Sequence, residues 1–389
     1  MITRSDGPAF HVIGENIHCS RVVKKDGVRM GALPDGRPAV RVPTPDGERL
    51  LPVPDAVIDT NDFRQGRVKH VMVAVRHGLD GTEHADLAAA YVRWMADRQI
   101  AGGADWLDLN VDEIHHEIQP RRDAMAWVAR VVGAHASAPL SLDSSDPSVI
   151  AAGLAVLDRG WAGGAKVMLN SASLERLDVL DMGREHATAL VLSCSGDVAM
   201  PTNAQERIDR ANDIIGAAQA RGFALGDLHV DPLVVPIGVD PEAGSAFYEA
   251  CRTIRATYGP QVHITGGLSN ASFGLPARRL LGDVYLDLAA RNGVDSGIVD
   301  PVATKLAEAL AQLKAVHGHA LLWEAHSIPS VLPRFFEGRL PDLNFGTADG
   351  KSCSRQLEGA MIKLVDGQDR YSFVFNGRFK GGQIGRAHV

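Results

Sequence analysis

Residues 139–154 read PLSLDSSDPSVIAAGL, and this stretch carries the signals that decide the fold. A short apolar run, Leu140–Leu142, leads into Asp143, and Asp146-Pro147 then places an N-cap candidate before a first-turn proline. This order predicts a buried strand, a polar turn and a helix, which together make one unit of a parallel β/α fold.

The same unit recurs along much of the chain. Between about Glu83 and Asp300, short apolar runs alternate with amphipathic stretches of helical length, and a further run lies near the N-terminus. The predicted strands are Phe10–Ile13, Trp106–Asn110, Leu140–Leu142, Lys166–Leu169, Ala189–Leu192, Leu228–Val230, Val262–Thr265 and Ser296–Val299. The predicted helices include Ala85–Ala101, Asp146–Asp158, Asn203–Arg221, Ala243–Thr257, Pro276–Ala290 and Ala303–His317. Because eight parallel β-α units close a barrel, the sequence predicts an α/β protein with a (β/α)8 TIM barrel.

Two segments fall outside the repeat. Residues 20–80 carry Asp-Gly pairs at 26–27, 35–36 and 46–47 between β-favouring stretches, which predicts a small insertion rich in β-hairpins. We therefore expect residues 1–19 to form the first barrel strand and an active-site loop, and residues 81–317 to form the main barrel. Residues 318–389 are a C-terminal extension, and the sequence leaves open whether it is a lid, a dimer contact or a tail.

The composition is that of a soluble globular protein, with 45% hydrophobic and 22% charged residues. No apolar run approaches the roughly 20 residues that span a bilayer, and the N-terminus has no apolar signal segment, so we expect a cytoplasmic protein with no membrane partner. The net charge of -7 argues against a nucleic-acid partner. The four cysteines are widely spaced, without the pattern of a disulfide framework or a structural zinc site.

Polar side chains follow almost every predicted strand. They are Asp108, Asn110, Asp143, Asn170, Asp231, Asn270 and Asp300. The carboxyl ends of barrel strands meet at one rim, where active sites lie, so we expect these residues to share a pocket. Carboxylates accept pairs of N–H bonds and carboxamides both donate and accept, which suits the amino-amide edge of a pterin. A single Asp after a strand more often caps a helix, and Asp300 before a proline fits that role.

The residues also bear on metal binding. The rim shows no histidine or glutamate at ligand spacing, so no metal site is predicted there. We interpret His115-His116-Glu117 as the exposed start of a helix, because adjacent residues do not share one helix or strand face.

Seven strings give the sequence a family resemblance. They are VIGENIH at 12–18, GGADWLDLNV at 102–111, PLSLDSSDPSVIAAGL at 139–154, VMLNSAS at 167–173, DPLVVP at 231–236, GLSNASFGLPARR at 267–279 and GVDSGIVDP at 293–301. In this order they resemble the pterin-binding methyltransferases that use methyltetrahydrofolate and a corrinoid protein. The resemblance covers residues 12–17 and about 85–317, and it implies the same eight-fold barrel.

The resemblance also implies an activity and its participants. A methyl group would move between N5 of tetrahydrofolate and the cobalt of a corrinoid, in one-carbon metabolism. The folate is then a substrate, as tetrahydrofolate or 5-methyltetrahydrofolate, and a homodimer is expected. Asp227-Leu228-His229 begins like the cobalt-ligating loop of corrinoid domains, but Pro232 stands where that loop needs glycine. The corrinoid would therefore come from a partner protein or as free cobalamin.

The resemblance assigns roles residue by residue. Asp143, Asn170 and Asp231 match residues that bind the pterin ring, and Asn270 matches the catalytic asparagine that contacts N5. The residues Asp108, Asn110 and Ser272 match motif positions near the pocket. A carboxamide can donate a hydrogen bond to N5 as charge develops there without itself titrating, which supports the assignment of Asn270.

The sequence departs from the family pattern at two positions near the mouth. His18 ends GENIH, where the family commonly reads GERxN, and Asp112 follows DLNV, where the family commonly has glycine. The basic residues Lys166, Arg207, Arg278 and Arg279 are candidates for the anionic folate tail or for solvated helix ends.

Two alternative functions remain open from the sequence. One is a dihydropteroate synthase-type pterin transferase, although DPLVVPIG has no lysine and GLSN stands where that family's basic motif is expected. The other is a non-catalytic folate-binding subunit. The direction of methyl transfer is also left open.

Overall fold

A computed structural model describes residues 10–157, 165–196, 200–240, 242–275 and 278–302, with short pieces at 343–345, 358–359, 362–363, 366 and 372–375. The chain divides into two compact units, Met1–Ala309 and Leu310–Val389. No helix among these residues is both long and apolar enough to cross a bilayer.

The strands of the first unit are β1 (His11–His18), β2 (Val22–Lys24), β3 (Met30–Ala32), β4 (Pro38–Thr44), β5 (Gly47–Pro52), β6 (Arg67–Lys69), β7 (Trp106–Asn110), β8 (Leu140–Asp143), β9 (Met168–Ala172), β10 (Ala189–Ser193), β11 (Leu228–Asp231), β12 (His263–Ile264) and β13 (Ser296–Val299). Its helices are α1 (Asp55–Ile58), α2 (Asn61–Arg64), α3 (His70–Leu79), α4 (Ala85–Ala101), α5 (Ile118–Gly133), α6 (Pro147–Leu154), α7 (Asp178–His186), α8 (Ala204–Ala220), α9 (Ala243–Tyr258) and α10 (Arg278–Arg291). In the second unit, β14 (Leu343–Phe345) pairs in parallel with β15 (Phe373–Phe375).

Eight strands form one parallel sheet in the order β12, β11, β10, β9, β8, β7, β1, β13. The two edges of this sheet meet through a parallel bridge between Gly267 and Ile298, in which Ile298 N–H donates to Gly266 O at 2.9 Å. The bridge closes the ring. The predicted (β/α)8 barrel is therefore confirmed, and each of the eight predicted strands corresponds to one of its strands.

The core has an inner and an outer layer. Alternate strand residues point into the barrel, where Ile13, Met168, Ala189 and Val191 form a small buried cluster. The intervening residues, such as the fully buried Leu140 and Leu142, pack outward against the helices. Burying one such leucine contributes about 1.5–3 kcal/mol, so this layer supplies much of the stability.

Helices α4 and α6 begin where the sequence predicts a helix to start. Helix α4 spans the predicted Ala85–Ala101, and α6 begins after Asp146, whose carboxylate accepts from Ser148 N–H at 2.8 Å with Pro147 in the first turn. The triplet His115-His116-Glu117 directly precedes α5; His116 and Glu117 are exposed as predicted, whereas His115 is half-buried. The predicted helix Ala303–His317 lies outside the described residues.

The segment 20–80 contains a three-stranded antiparallel sheet, β3-β4-β5. Two of the Asp-Gly pairs form its turns, where Gly36 (φ 85°) and Gly47 (φ 114°) adopt the left-handed conformation that glycine permits. The pair at 26–27 is not a hairpin turn, because β2 pairs with β6. The segment packs on α4, where the Arg29 guanidinium lies 5.0 Å from the Trp94 ring centroid.

Candidate active site

The strand register gathers the predicted rim residues. Asn110 of β7 lies beside Asp143 of β8, and Asp143 lies beside Asn170 of β9. Because side chains alternate along a strand, Asp108 and Asn110 point into the barrel while Leu107 and Leu109 pack outward. Asn110 Nδ2 then donates to Asp143 Oδ2 at 2.9 Å.

Asp108 lies beneath this row and is fully buried. Its Oδ1 accepts from Ser141 Oγ at 2.6 Å and from Asn170 Nδ2 at 3.3 Å. A buried carboxylate is costly unless it is hydrogen-bonded and paired with a cation. The cation is His18, whose Nε2 lies 3.4 Å from Asp108 Oδ2.

His18 is a site residue that the sequence analysis did not place on the rim. An irregularity in the pairing of β1 with β7, between Gly14 and Ile17, brings His18 beside Asn110 and turns its ring inward. Its Nε2 lies 3.3 Å from Asp143 Oδ2 as well. Burial lowers the pKa of His18, but hydrogen bonds to Asp108 and Asp143 and their charges outweigh it and raise the pKa to about 10. The ring is therefore an imidazolium at neutral pH.

Among the described residues, His18, Asp108 and Asp143 form the one group of His, Cys, Asp and Glu whose possible ligand atoms all lie within 4.8 Å of one another. The sequence-based premise that no histidine lies on this rim is wrong. The contacts themselves are those of an imidazolium held between two carboxylates.

Asp143 presents one oxygen to the barrel mouth. Burial raises its pKa to about 6, and the charge of Asp108 acts in the same direction, while His18 and Asn110 oppose both. Its Oδ2 accepts a hydrogen bond from Asn110 Nδ2 and also contacts His18 Nε2. Its Oδ1 accepts no hydrogen bond from any described residue, so it is available to an N–H donor of a ligand.

Asp231 occupies the corresponding position at the end of β11. Burial raises its pKa to about 6, opposed by the hydrogen bond that Leu233 N–H donates at 2.8 Å to Oδ1 and by the charge of Arg207. Gly266 lets the β12 loop approach the loop after Asp231, because a Cβ at that position would lie only 3.1 Å from Val234 Cγ2. Arg207 is itself buried and donates to Asn203 O, so it is not placed to meet a folate tail.

Asn270 lies in a short 3-10 turn, Leu268–Ser272, that follows β12. Its side chain is exposed, and its carboxamide makes no hydrogen bond with the described residues. Ile237 N–H donates to Ala271 O at 3.0 Å, which ties this turn to the loop after Asp231. Ser272 is buried, with Oγ 3.5 Å from Ser269 O, so it packs within the turn.

Asp112 and Asp300 hold neighbouring loops. Asp112 accepts from Ser144 Oγ at 2.6 Å and from both the N–H and Oγ of Ser145 at 2.8 Å, which fixes the loop that follows Asp143. Asp300 accepts from Asn16 Nδ2 at 2.9 Å and from Val302 N–H at 3.0 Å. Both are explained by these structural contacts.

A cavity of about 170 Å³ lies beside the Asn270 turn. Its polar lining comes from Glu15, Arg21, Ser269, Ser272, Arg278, Asp283 and Asp300. Of the basic residues that are candidates for the folate tail or for solvated helix ends, Arg278 borders this cavity. Lys166 pairs with Asp227 near the amino ends of the strands. The side chain of Arg279 lies outside the described residues.

Two family models match the chain. The model described as Pterin binding enzyme matches residues 78–300, and the model described as N-formylglutamate amidohydrolase matches residues 282–389. The second match was missed by the sequence analysis, which predicted only an extension of open role there.

Curated relatives show the same division. An N-formylglutamate deformylase from Pseudomonas aeruginosa is 51% identical over 86 residues, which are 22% of this chain and 32% of that protein. A methylcorrinoid:tetrahydrofolate methyltransferase from Eubacterium limosum is 26% identical over 247 residues, covering 61% of this chain and 86% of that protein. A methionine synthase from Mycobacterium tuberculosis is 29% identical over 240 residues, covering 57% of this chain. The chain spans about a third of the deformylase and 19% of the methionine synthase.

Solved structures of dihydropteroate synthases are also similar. The enzyme from Stenotrophomonas maltophilia has a TM-score of 0.47 at 19% sequence identity, covering 59% of this chain and 87% of that chain. The enzyme from Xanthomonas albilineans has a TM-score of 0.45 at 22% identity, covering 62% of this chain and 89% of that chain.

The sequence-based resemblance to pterin-binding methyltransferases is confirmed by the methyltransferase and methionine synthase matches. The pterin-binding model covers more than half of the chain, including the strands that carry Asp108, Asp143, Asn170 and Asp231. The chain therefore belongs to the family of pterin-binding enzymes.

Proposed function

We propose that the protein transfers a methyl group between N5 of tetrahydrofolate and the cobalt of a corrinoid, supplied by a partner protein or as free cobalamin. The observation that carries the proposal is the exposed carboxamide of Asn270, which has no hydrogen-bond partner among the described residues and lies on a turn tied to the loop after Asp231. The name of the Eubacterium limosum relative supports the same reaction.

The rim carboxylates supply the groups that pterin binding needs. With pKa values of about 6, Asp143 and Asp231 are largely ionised at neutral pH, and each has an oxygen that no described residue occupies. Two such oxygens suit the N–H donors of the pterin amino-amide edge. We assign Asn170 to the same binding set. Asp108 accepts from Asn170 Nδ2, and Asn110 Nδ2 donates to Asp143, so these two residues hold the binding side chains in place.

Asn270 supplies the group that methyl transfer needs. When the N5–methyl bond breaks, its electron pair stays on nitrogen, because the cobalt nucleophile contributes the pair of the new bond. A neutral amine is a poor leaving group unless N5 gains a proton or a strong hydrogen bond. Asn270 Nδ2 can donate as that charge develops, and in the reverse reaction Oδ1 can accept from the N–H of neutral tetrahydrofolate N5, whose lone pair attacks the methyl group.

Two assays test the proposal. Purified protein is mixed with methylcobalamin plus tetrahydrofolate, and separately with Co(I) cobalamin plus 5-methyltetrahydrofolate, while the cobalamin spectrum is followed. We expect enzyme-dependent conversion in at least one direction, greatly slowed in Asn270→Ala and kept in the control Asn61→Ala, which alters an exposed asparagine in α2. Absence of conversion in both directions contradicts the proposal.

The alternatives give different results in parallel assays. Condensation of p-aminobenzoate with a pterin pyrophosphate, without methyl transfer, identifies a dihydropteroate synthase. Tight 5-methyltetrahydrofolate binding without turnover identifies a non-catalytic subunit.

We also propose that the enzyme acts as a homodimer in the cytoplasm. Light scattering coupled to gel filtration tests the first statement, because a mass of one chain, 41.5 kDa, contradicts it.

A further inference from the structure

His18 joins two carboxylates that come from neighbouring barrel strands. Its Nε2 lies 3.4 Å from Asp108 Oδ2 and 3.3 Å from Asp143 Oδ2, and its Nδ1 lies 3.3 Å from Ser20 Oγ. The side chain is only 21% exposed, so water screens these contacts weakly. One ring therefore bridges the buried floor of the site and the carboxylate at its mouth.

The groups around the two carboxylates show why this ring matters. Besides His18, their hydrogen-bond partners are the uncharged Ser141 and Asn170 at Asp108, and Asn110 at Asp143. The other charged groups nearby include Glu15, which forms an ion pair with Arg21 beside β1. On the loop after Asp143, Asp112 accepts from Ser144 Oγ and Arg176 donates to Ser144 O. His18 is thus the cation in direct contact with both Asp108 and Asp143.

We propose that His18 is a positioning residue of the pterin pocket, whose imidazolium fixes Oδ2 of Asp143 and keeps this carboxylate ionised, so that Oδ1 can accept from the pterin. This inference rests on the proposed pterin binding by Asp143. It assigns a function to a residue at which the chain departs from the family's common sequence.

The physical reason is the difference between a carboxylate and a carboxylic acid. An ionised Asp143 only accepts hydrogen bonds, whereas the protonated acid carries a donor that clashes with a pterin N–H. Burial and Asp108 favour the protonated form, and His18 favours the ionised form. Removing His18 therefore raises the pKa of Asp143 above its present value of about 6.

The first test measures the dissociation constant of 5-methyltetrahydrofolate from pH 5.5 to 9 in the wild type, His18→Asn and His18→Lys. The control is His116→Asn, which alters an exposed histidine before α5. We expect His18→Asn to bind about threefold more weakly near pH 6.5 and about eightfold more weakly at pH 5.5, and to recover by pH 8.5. A rise of one unit in the pKa of Asp143, from about 6, lowers its ionised fraction by roughly those factors. His18→Lys, which keeps a cation, restores part of the affinity near pH 6.5.

A uniform loss of affinity at every pH in His18→Asn shows a purely structural role and overturns the inference. So does an unchanged affinity. A stoichiometric divalent metal in the purified wild type, measured by elemental analysis, overturns it as well, because the metal would then be the counter-ion.

A second test needs no folate and so separates this inference from the proposed function. In protein labelled with ¹⁵N-histidine, the signal that His18→Asn removes should show a protonated ring up to pH 8. A neutral ring at pH 8 overturns the inference even if methyl transfer is found. A protonated ring together with a wild type that binds no folate overturns the proposed function.

Discussion

Replacing Asn270 with alanine separates catalysis from stability. The carboxamide is exposed and has no partner among the described residues, so its removal leaves no buried group unsatisfied. We expect the free energy of unfolding to change by less than about 0.5 kcal/mol. Losing one hydrogen bond that forms fully only in the transition state should slow methyl transfer by roughly 10²–10³-fold, or about 2.7–4 kcal/mol.

The assay is a single-turnover measurement with enzyme in excess and 5-methyltetrahydrofolate saturating, following the disappearance of Co(I) cobalamin. Folate affinity is measured separately and should change by much less than the rate. Asn270→Asp is the sharper variant, because an ionised carboxylate accepts but cannot donate. At pH 8, Asn270→Asp should transfer the methyl group about as slowly as Asn270→Ala, while Asn61→Ala keeps the wild-type rate.

A single-turnover rate in Asn270→Ala within about threefold of the wild type refutes the reasoning. A loss of kcat/KM that weaker folate binding fully explains, with the saturated rate unchanged, refutes it equally, because the interaction would then be made as strongly with the ground state.

Three further variants test the surroundings of the site. In Gly267→Ala, the new Cβ would lie 2.7 Å from Asn270 Nδ2, so we expect the exposed carboxamide to be displaced. The value of kcat should then fall at least tenfold, roughly one lost hydrogen bond, with the melting temperature little changed. In Asp112→Gly, the hydrogen bonds to Ser144 and Ser145 are lost, and denaturant titration should show about 1–3 kcal/mol less stability. In Asp231→Asn, folate affinity should collapse while stability at pH 8 rises by up to about 3 kcal/mol, and thermal melts at pH 4 should show almost none of that gain. The sign follows because the native fold raises the pKa of Asp231 from 3.8 to about 6, so ionisation above that pH opposes folding.

The sequence predicted the barrel because its information is local. Each apolar run followed by a polar turn and an amphipathic stretch specifies one β-α unit, and eight such units leave few arrangements. The rim followed from the same logic, since Asp143, Asn170 and Asp231 each lie at the carboxyl end of a strand. The register then brings Asp143 and Asn170 together without any long-range signal in the sequence.

The sequence could not place His18, because its position depends on an irregularity in strand pairing. With Ile13 pointing inward, strict alternation along β1 puts His18 on the outer face, and the shift between Gly14 and Ile17 reverses that. The roles of Asp112 and Arg207 were hidden for a related reason. Both depend on partners from another loop or on burial, which only the folded chain defines.

The pKa values of Asp143 and Asp231, the two carboxylates proposed to bind the pterin, depend on the same two effects. Burial raises the pKa of both Asp143 and Asp231 to about 6, and a cation opposes that rise in each case, His18 for Asp143 and Arg207 for Asp231. Burial strengthens each hydrogen bond to the ligand, and the cation keeps each acceptor ionised near neutral pH. Removing either cation should therefore raise the pH below which folate binding is lost. The effect of His18→Asn should appear at Asp143 alone, so Asp231 should still titrate near 6 in that variant.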